Sequence, residues 1–168
     1  MKASESREQQ SAEAELVGYA GRVLNVTLIP KKLRVTDKAS INLDGYSDEQ
    51  HILCEAYARI GELKGSQPDK IASDILKMLL VEMILDSKFQ KVLVFADQAA
   101  ANTVLGQSWL ADICRRVSVQ IVVAEIGNEL RNKLKNAQQR QEMVNKQEEN
   151  CQQINPPYSS PTAVGSKR

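Results

Sequence analysis

The sequence predicts a single α/β domain in which a mixed sheet is flanked by helices. The first half holds three short segments with strand character, whereas the second half alternates helical and strand patterns. Lys91 to Ala96 is a nearly continuous apolar run, as is typical of an interior strand covered on both faces. With 168 residues, of which 42% are hydrophobic, the chain is long enough for one compact core and too short for two.

The N-terminal segment predicts a helix followed by a strand. Residues 1–11 are polar and are predicted to be disordered, and Ala12 to Tyr19 is predicted to form a short helix that two glycines interrupt. Arg22 to Ile29 alternates and is rich in β-branched residues. We therefore predict a strand here, ended by Pro30.

Two acidic residues are predicted on neighbouring strands. Ser40 to Asp44 is predicted to be a short strand closed by Gly45, and residues 47–50 are predicted to be the turn into the strand that holds Glu55. Asp44 and Glu55 then fall on adjacent antiparallel strands. Two carboxylates in this arrangement can converge on one cation.

Glu55 lies inside an otherwise apolar strand. The alternation from 51 to 59 places Glu55, Tyr57 and Arg59 on one face. A buried glutamate is costly unless it is used or paired. Glu55 is therefore either a functional acid or half of a buried ion pair with Arg59 or Lys77.

A helix is predicted to begin at its N-cap, Ser66, and to carry a regular charged face. Lys70, Asp74 and Lys77 follow at i, i+4 and i+7, so they share one side of the helix. Such a pattern is most often an exposed stripe of ion pairs. The alternative is a stripe turned inward, toward the strand that holds Glu55.

The C-terminal half predicts a parallel crossover and a polar appendage. Gln98 to Arg116 is predicted to be helical and Val117 to Ala124 to be a strand, which makes a right-handed crossover from the apolar strand before them. Residues 126–150 are polar with a thin apolar seam and predict a largely exposed helix, packed near its start. Residues 151–168 are predicted to be disordered. The residues predicted to be buried in the Gln98 helix are Ala99, Val104, Leu105, Trp109, Leu110, Ile113 and Cys114.

Composition excludes some classes of function. The chain has 22 Lys and Arg against 21 Asp and Glu, so a surface for nucleic acid must be local. The three cysteines are odd in number and widely separated, which favours buried thiols in a reducing compartment over a disulfide framework. No segment predicts a membrane span or a leader. We expect a soluble cytoplasmic protein that does not bind a membrane.

The central motifs resemble a known family. Over roughly residues 12 to 125 the chain resembles a divergent member of the restriction-endonuclease-like, PD-(D/E)XK nuclease superfamily. The resemblance is carried by Leu43-Asp44-Gly45, by Glu55-Ala-Tyr57-Ala-Arg59-Ile-Gly61, and then by Lys64, Gln67, Lys70, Asp74 and Lys77. Asp44 and Glu55 match the two acids of the family pattern, whereas Tyr57 stands where the pattern has a lysine. The order of a helix, three strands, a helix, a strand, a helix and a strand is what the core of this superfamily would show.

The resemblance implies a Mg²⁺-dependent or Mn²⁺-dependent nuclease acting on DNA. Asp44 and Glu55 would be the metal ligands, because one or two carboxylates suffice for Mg²⁺. The missing lysine would be replaced from the helix by Lys70 or Lys77, with Lys64 of the loop as a less favoured alternative. Lys70 is slightly favoured because it lies nearer the loop that leaves the Glu55 strand. The residues expected to contact phosphates are Lys31, Lys32, Arg59 and Lys64.

Other interpretations stay open. Having lost the usual lysine, the same core would serve as a non-catalytic subunit that binds nucleic acid or protein, with the C-terminal helix as the surface for a second copy or another partner. A nucleotide-binding doubly wound domain is weaker, because no glycine-rich phosphate loop follows a strand. Asp44-Gly45 is also a common turn pair, and Lys31 and Lys32 also suit a solvated edge. Asp97 is either a ligand-binding residue at the end of a strand or a helix cap.

Overall fold

The computed structural model describes residues 3–154, which form a five-stranded mixed sheet with helices on both faces. In chain order the elements are α1 (Ala3–Leu24), β1 (Ile29–Arg34), β2 (Ser40–Ser47), β3 (Ile52–Tyr57), α2 (Gln67–Leu85), β4 (Gln90–Phe95), α3 (Gln98–Leu105), α4 (Trp109–Arg116), β5 (Val119–Val123) and α5 (Asn128–Ile154). The part of the predicted tail from 155 to 168 lies outside the described residues. Within residues 3–154, no helix has both the length and the apolar character that crossing a membrane requires.

The sheet joins an antiparallel half to a parallel half. Its strands lie in sequence order, with β1, β2 and β3 antiparallel and β3, β4 and β5 parallel. Gly45 of β2 pairs with Cys54 of β3, and Cys54 pairs on its other side with Val92 of β4. The predicted mixed sheet and the predicted parallel crossover from β4 to β5 are confirmed.

Two apolar layers cover the sheet. On one face, α2, α3 and α4 pack over Leu53 and Tyr57 of β3. On the other face, α1 and α5 pack over Cys54 and Ala56 of the same strand. Glu55 alternates with Cys54 and Ala56, so it lies on the face that α2 covers.

The N-terminal helix is longer than predicted. It starts at position 3, within the segment predicted to be disordered, and continues through Gly18 and Gly21 to Leu24. Each glycine costs about 1 kcal/mol of helix stability, but Leu16 and Ala20 are fully buried against the sheet and offset that cost. A Cβ at Gly21 would lie 2.8 Å from the carbonyl oxygen of Val26, so this glycine allows the chain to turn back closely against the helix.

The first two strands also differ from prediction. The strand predicted over Arg22 to Ile29 is wrong, because helix α1 and a short loop occupy most of that range and β1 begins only at Ile29. Pro30 lies inside β1, which tolerates it because β1 is an edge strand with an irregular register between Ile29 and Lys31. Strand β2 continues through Gly45, whose missing side chain lets Val17 of α1 approach the sheet.

The helix predicted over Gln98 to Arg116 is two helices. The break lies at residues 106–108, where the side chain of Ser108 caps α4 by accepting from the backbone N–H of Ala111. The predicted burial of three residues is wrong, because they lie on the exposed sides of the two helices. Leu105 is 49% exposed, Trp109 62% and Ile113 37%.

Candidate functional site

The candidate site is built on two adjacent strands. Because Gly45 pairs with Cys54, the next position in this register brings Asp44 of β2 opposite Glu55 of β3. One carboxylate oxygen of Asp44, Oδ2, accepts a hydrogen bond of 3.0 Å from the backbone N–H of Ala56. The predicted antiparallel pairing of these two segments is therefore confirmed.

A lysine of α2 reaches these strands. Lys77 Nζ lies 2.6 Å from Oε1 of Glu55 and 2.9 Å from Oδ1 of Asp74. The side chain of Glu55 is only 3% exposed, and those of Asp74 and Lys77 are 9% and 19% exposed. This part of the helix stripe is turned inward, in contrast to the exposed stripe that such spacing usually indicates. We call Asp44, Glu55, Tyr57, Asp74 and Lys77 the acid–lysine cluster.

The lysine that contacts Glu55 is Lys77, contrary to the preference for Lys70. The reason is the direction of α2, which returns antiparallel to β3 so that β4 can lie parallel to β3. Its first turn stands beyond the end of β3, and each further turn moves about 5.4 Å back along that strand. Lys70 is exposed, with its Nζ 5.0 Å from the ring centroid of Tyr57.

Tyr57 occupies the place where the family pattern has a lysine. Its hydroxyl donates a 2.8 Å hydrogen bond to Oδ2 of Asp74, and its ring stacks on Phe95 with centroids 4.8 Å apart. Burial, together with the negative charge of Asp74, raises the pKa of Tyr57 far above its ordinary value. The hydroxyl therefore remains a proton donor that holds Asp74 in place.

The cluster holds more carboxyl groups than cations. Burial, with the carboxylates of Asp74 and Asp44 adding to it, raises the pKa of Glu55 to about 8, although the contact with Lys77 opposes this shift. Burial lowers the pKa of Lys77, but its contacts with Glu55 and Asp74 outweigh that effect and raise it. Oε1 of Glu55 is buried without a hydrogen bond, because the Lys77 ammonium approaches it outside hydrogen-bond geometry. Below about pH 8 Glu55 is thus neutral, and Lys77 keeps its charge beside Asp74.

The carboxylates of Asp44 and Glu55 are the residues that could hold a divalent cation. Among residues 3–154, no three His, Cys, Asp or Glu side chains converge as a metal-binding group. Mg²⁺ commonly uses one or two carboxylates and completes its shell with water and phosphate oxygens. Asp44 and Glu55 lie at facing positions of β2 and β3, and a cation between them would oppose the burial and the negative charges that raise the pKa of Glu55.

A cleft of about 540 Å³ adjoins the cluster. It lies between α1, α5 and the segment that joins β3 to α2, and its polar lining includes Glu13, Tyr57, Arg59, Gln67, Lys70 and Arg140. Asp44, Glu55 and Asp74 do not line it, whereas Tyr57, whose hydroxyl binds Asp74, does.

Glu13 is a residue at this site that sequence reasoning missed. It is half-buried, and burial raises its pKa; the nearby Asp44 and Asp74 add to that shift, whereas Gln9 and Lys70 oppose it. The available signal was its place in the helix predicted over Ala12 to Tyr19. A helix residue beside a buried one can lie at the rim of a cavity.

The four predicted phosphate-binding residues fall into two groups. Arg59 is half-buried, its Nε donates to the carbonyl oxygen of Glu62, and it shares a second cavity of about 200 Å³ with Lys64. Lys31 and Lys32 lie on the exposed edge strand β1, where Lys31 Nζ is 5.7 Å from the ring centroid of Tyr46. The structure therefore brings Arg59 to the cleft and Arg59 with Lys64 to the second cavity, and it leaves Lys31 and Lys32 two strands away from β3.

Long-range polar contacts hold α5 against the cleft. The side-chain amide of Gln138 accepts from the backbone N–H of Ile60 at 2.9 Å and donates to its carbonyl oxygen at 3.0 Å. Asp97 caps α3 by accepting from Ala99 N–H, and it also accepts from Arg131 of α5 at 2.6 Å. Asp97 thus has the capping role, and a second, structural role that the sequence did not indicate.

Comparisons with models of protein families, with curated proteins and with solved structures found no match for this chain.

Proposed function

We propose that this protein is a metal-dependent nuclease that hydrolyses phosphodiester bonds in DNA on a restriction-endonuclease-like core. The observation that carries the proposal is the position of Lys77, whose ammonium lies 2.6 Å from Glu55 although Tyr57 has replaced the strand lysine. The order of a helix, a three-strand meander, a helix, a strand, helices and a strand also supports it.

Each cluster residue has a distinct role in this proposal. Asp44 and Glu55 would hold Mg²⁺ or Mn²⁺, which when bound would polarise a phosphoryl oxygen and lower the pKa of a water ligand. Lys77 stays beside Glu55 and offsets negative charge on the phosphate. Tyr57 fixes Asp74, and Asp74 in turn holds the Lys77 ammonium on its second side.

The cleft suits a single nucleotide or a strand end better than a duplex. Its volume of about 540 Å³ lies in the range of pockets that enclose one small ligand. Arg59 can bind a phosphate through two parallel hydrogen bonds, and Lys70 adds a second positive charge on the same wall. Enzymes that act on nucleic acid in such pockets take single-stranded or unstacked nucleotides.

A second candidate is a binding subunit without catalysis. The observation that favours it is the burial of the acid–lysine cluster, in which the side chain of Glu55 is only 3% exposed. Asp74 accepts a hydrogen bond from Tyr57 and pairs with Lys77. In this case the cleft, with Arg59 and Lys70, binds nucleic acid, and the cluster only stabilises the fold.

Metal-supported cleavage of labelled single-stranded and duplex DNA separates the two candidates. We expect cleavage with Mg²⁺ or Mn²⁺ and a loss of roughly 100-fold or more in Glu55→Gln and in Lys77→Met, which are matched in size to the wild type. Lys88→Met, at a lysine that is 93% exposed beyond the end of α2, is the control and should cleave normally.

Binding of the same oligonucleotides completes the design. Lys70→Met should weaken binding and reduce the dependence of affinity on salt by about one ion, since it removes one phosphate contact. If the wild type cleaves neither substrate with either metal but binds DNA, the binding-subunit candidate replaces the nuclease. If it does neither, both proposals are wrong.

A further inference from the structure

The outer surface of α2, α3 and α4 carries an apolar patch. Its members are exposed on the side of these helices that faces away from the sheet, and they are Leu76, Leu80, Met83, Leu105, Trp109 and Ile113. Met83 is 79% exposed, Leu76 66% and Trp109 62%. We call these six residues the outer apolar patch.

The two helices bring their exposed residues to one surface. Helices α2 and α4 pack on the same face of the sheet and contact each other. At 100° per residue, Leu76 and Met83 lie about 140° and 160° around α2 from Val81. Val81 shares a small pocket with Leu33 of β1 and Ile41 of β2, so Leu76 and Met83 lie away from that edge of the sheet. Helix α4 covers the side of the sheet near β5, so these two residues face the side where Trp109 and Ile113 are exposed.

The patch is too large for an ordinary monomer surface. From the exposed fractions, the six residues together present roughly 700 Å², above the 300–600 Å² of the largest patch on a typical monomer. It is close to the roughly 800 Å² that each partner buries in a standard protein–protein interface. One partner that forms an interface of standard size would therefore cover the patch.

We propose that a second copy of this chain covers the outer apolar patch in a two-fold symmetric dimer. In a two-fold symmetric dimer the same surface of both copies forms the interface, so like charges at its rim must not face each other. Asp112 of α4 lies beside Arg116 at 2.6 Å and Arg115 at 3.7 Å, so the rim offers both signs of charge at one place. Residues 155–168 include Tyr158 and Val164 but no Leu, Ile, Met, Phe or Trp, so their composition does not suit them to cover the patch.

The dimer leaves the candidate site accessible. The cleft lies between α1, α5 and the segment after β3, whereas the outer apolar patch lies on α2, α3 and α4. Each copy keeps its own cleft and its own acid–lysine cluster. The inference is therefore independent of the nuclease activity proposed above.

Sedimentation velocity on the full chain tests the proposal, and the single tryptophan reports on the interface. We expect a dimer at micromolar concentrations, with Trp109 emission shifting to longer wavelength as dilution exposes the ring. Leu76→Glu and Trp109→Glu should each raise the dimer dissociation constant by roughly 10-fold or more. Val23→Glu is the matched control, since Val23 is 55% exposed but lies on α1, and it should dimerise as the wild type does.

Circular dichroism of each variant establishes that it is folded. A wild type that remains monomeric up to about 100 μM overturns the proposal. So does a dimer that Leu76→Glu and Trp109→Glu leave intact, because another surface then forms it. A monomer that associates only with a different protein overturns it as well.

Discussion

The raised pKa of Glu55 makes the stability of the metal-free protein fall with rising pH. Its ordinary value is 4.5, and burial with the carboxylates of Asp74 and Asp44 raises it to about 8 in the folded state. Between these values the folded state holds a proton that the unfolded state has released. The stabilisation is complete below about pH 4.5 and is lost progressively up to about pH 8.

The size of the effect follows from the shift. One pKa unit corresponds to about 1.4 kcal/mol, so the free energy of unfolding should fall by an amount on the order of 5 kcal/mol across this range. Glu55→Gln keeps the size of the side chain and removes its titration. The free energy of unfolding of this variant should fall less over the same range, because the contribution of Glu55 is absent.

Urea unfolding followed by circular dichroism, with a chelator present, measures both curves from about pH 5 to about pH 8.5. The single histidine, His51, is common to both proteins, so the difference between the curves isolates Glu55. Parallel curves for wild type and Glu55→Gln would refute the assignment of Glu55 as the buried proton-binding group.

Three further outcomes are expected. At about pH 8.5 Mg²⁺ should raise the midpoint of thermal unfolding of the wild type and leave that of Glu55→Gln unchanged, and equal shifts would contradict the metal site. Tyr57→Phe should cost about 1–3 kcal/mol in urea unfolding, because Asp74 loses a buried donor; an unchanged stability would mean that this hydrogen bond is unimportant. Gly21→Ala should destabilise α1, since its Cβ would meet the Val26 carbonyl, whereas Gly18→Ala has room and should stabilise the helix by up to about 1 kcal/mol; equal effects of the two would contradict the close approach.

The strand that holds Glu55 and the order of the later elements could be predicted because their signals are local. Alternation along β3 and the apolar run of β4 each lie within a few residues, and both elements are found where they were expected. The choice between Lys70 and Lys77 could not be made this way. It depends on the direction in which α2 returns along β3, which no short stretch of sequence encodes.

The N-terminal region and the cleft depend on contacts between distant segments. Gly18 and Gly21 indicate the end of a helix locally, but burial of Leu16 and Ala20 against the sheet keeps the helix intact beyond them. The wall of the cleft depends on Gln138, whose partner Ile60 is 78 residues away. A polar residue in a polar helix gives no sign of such a partner.

The antiparallel return of α2 along β3 determines which positions of the helix face which positions of the strand. In a parallel crossover the strand and its helix run side by side in opposite directions, so positions on the two elements form fixed facing pairs. A residue on the middle turns of the helix can therefore contact the middle of the strand, as Lys77 contacts Glu55. In chains with this connection, the charged residue that pairs with an acid in the middle of the strand should therefore be sought on the later turns of the helix. The first turn is nearer in sequence, but it lies beyond the end of the strand.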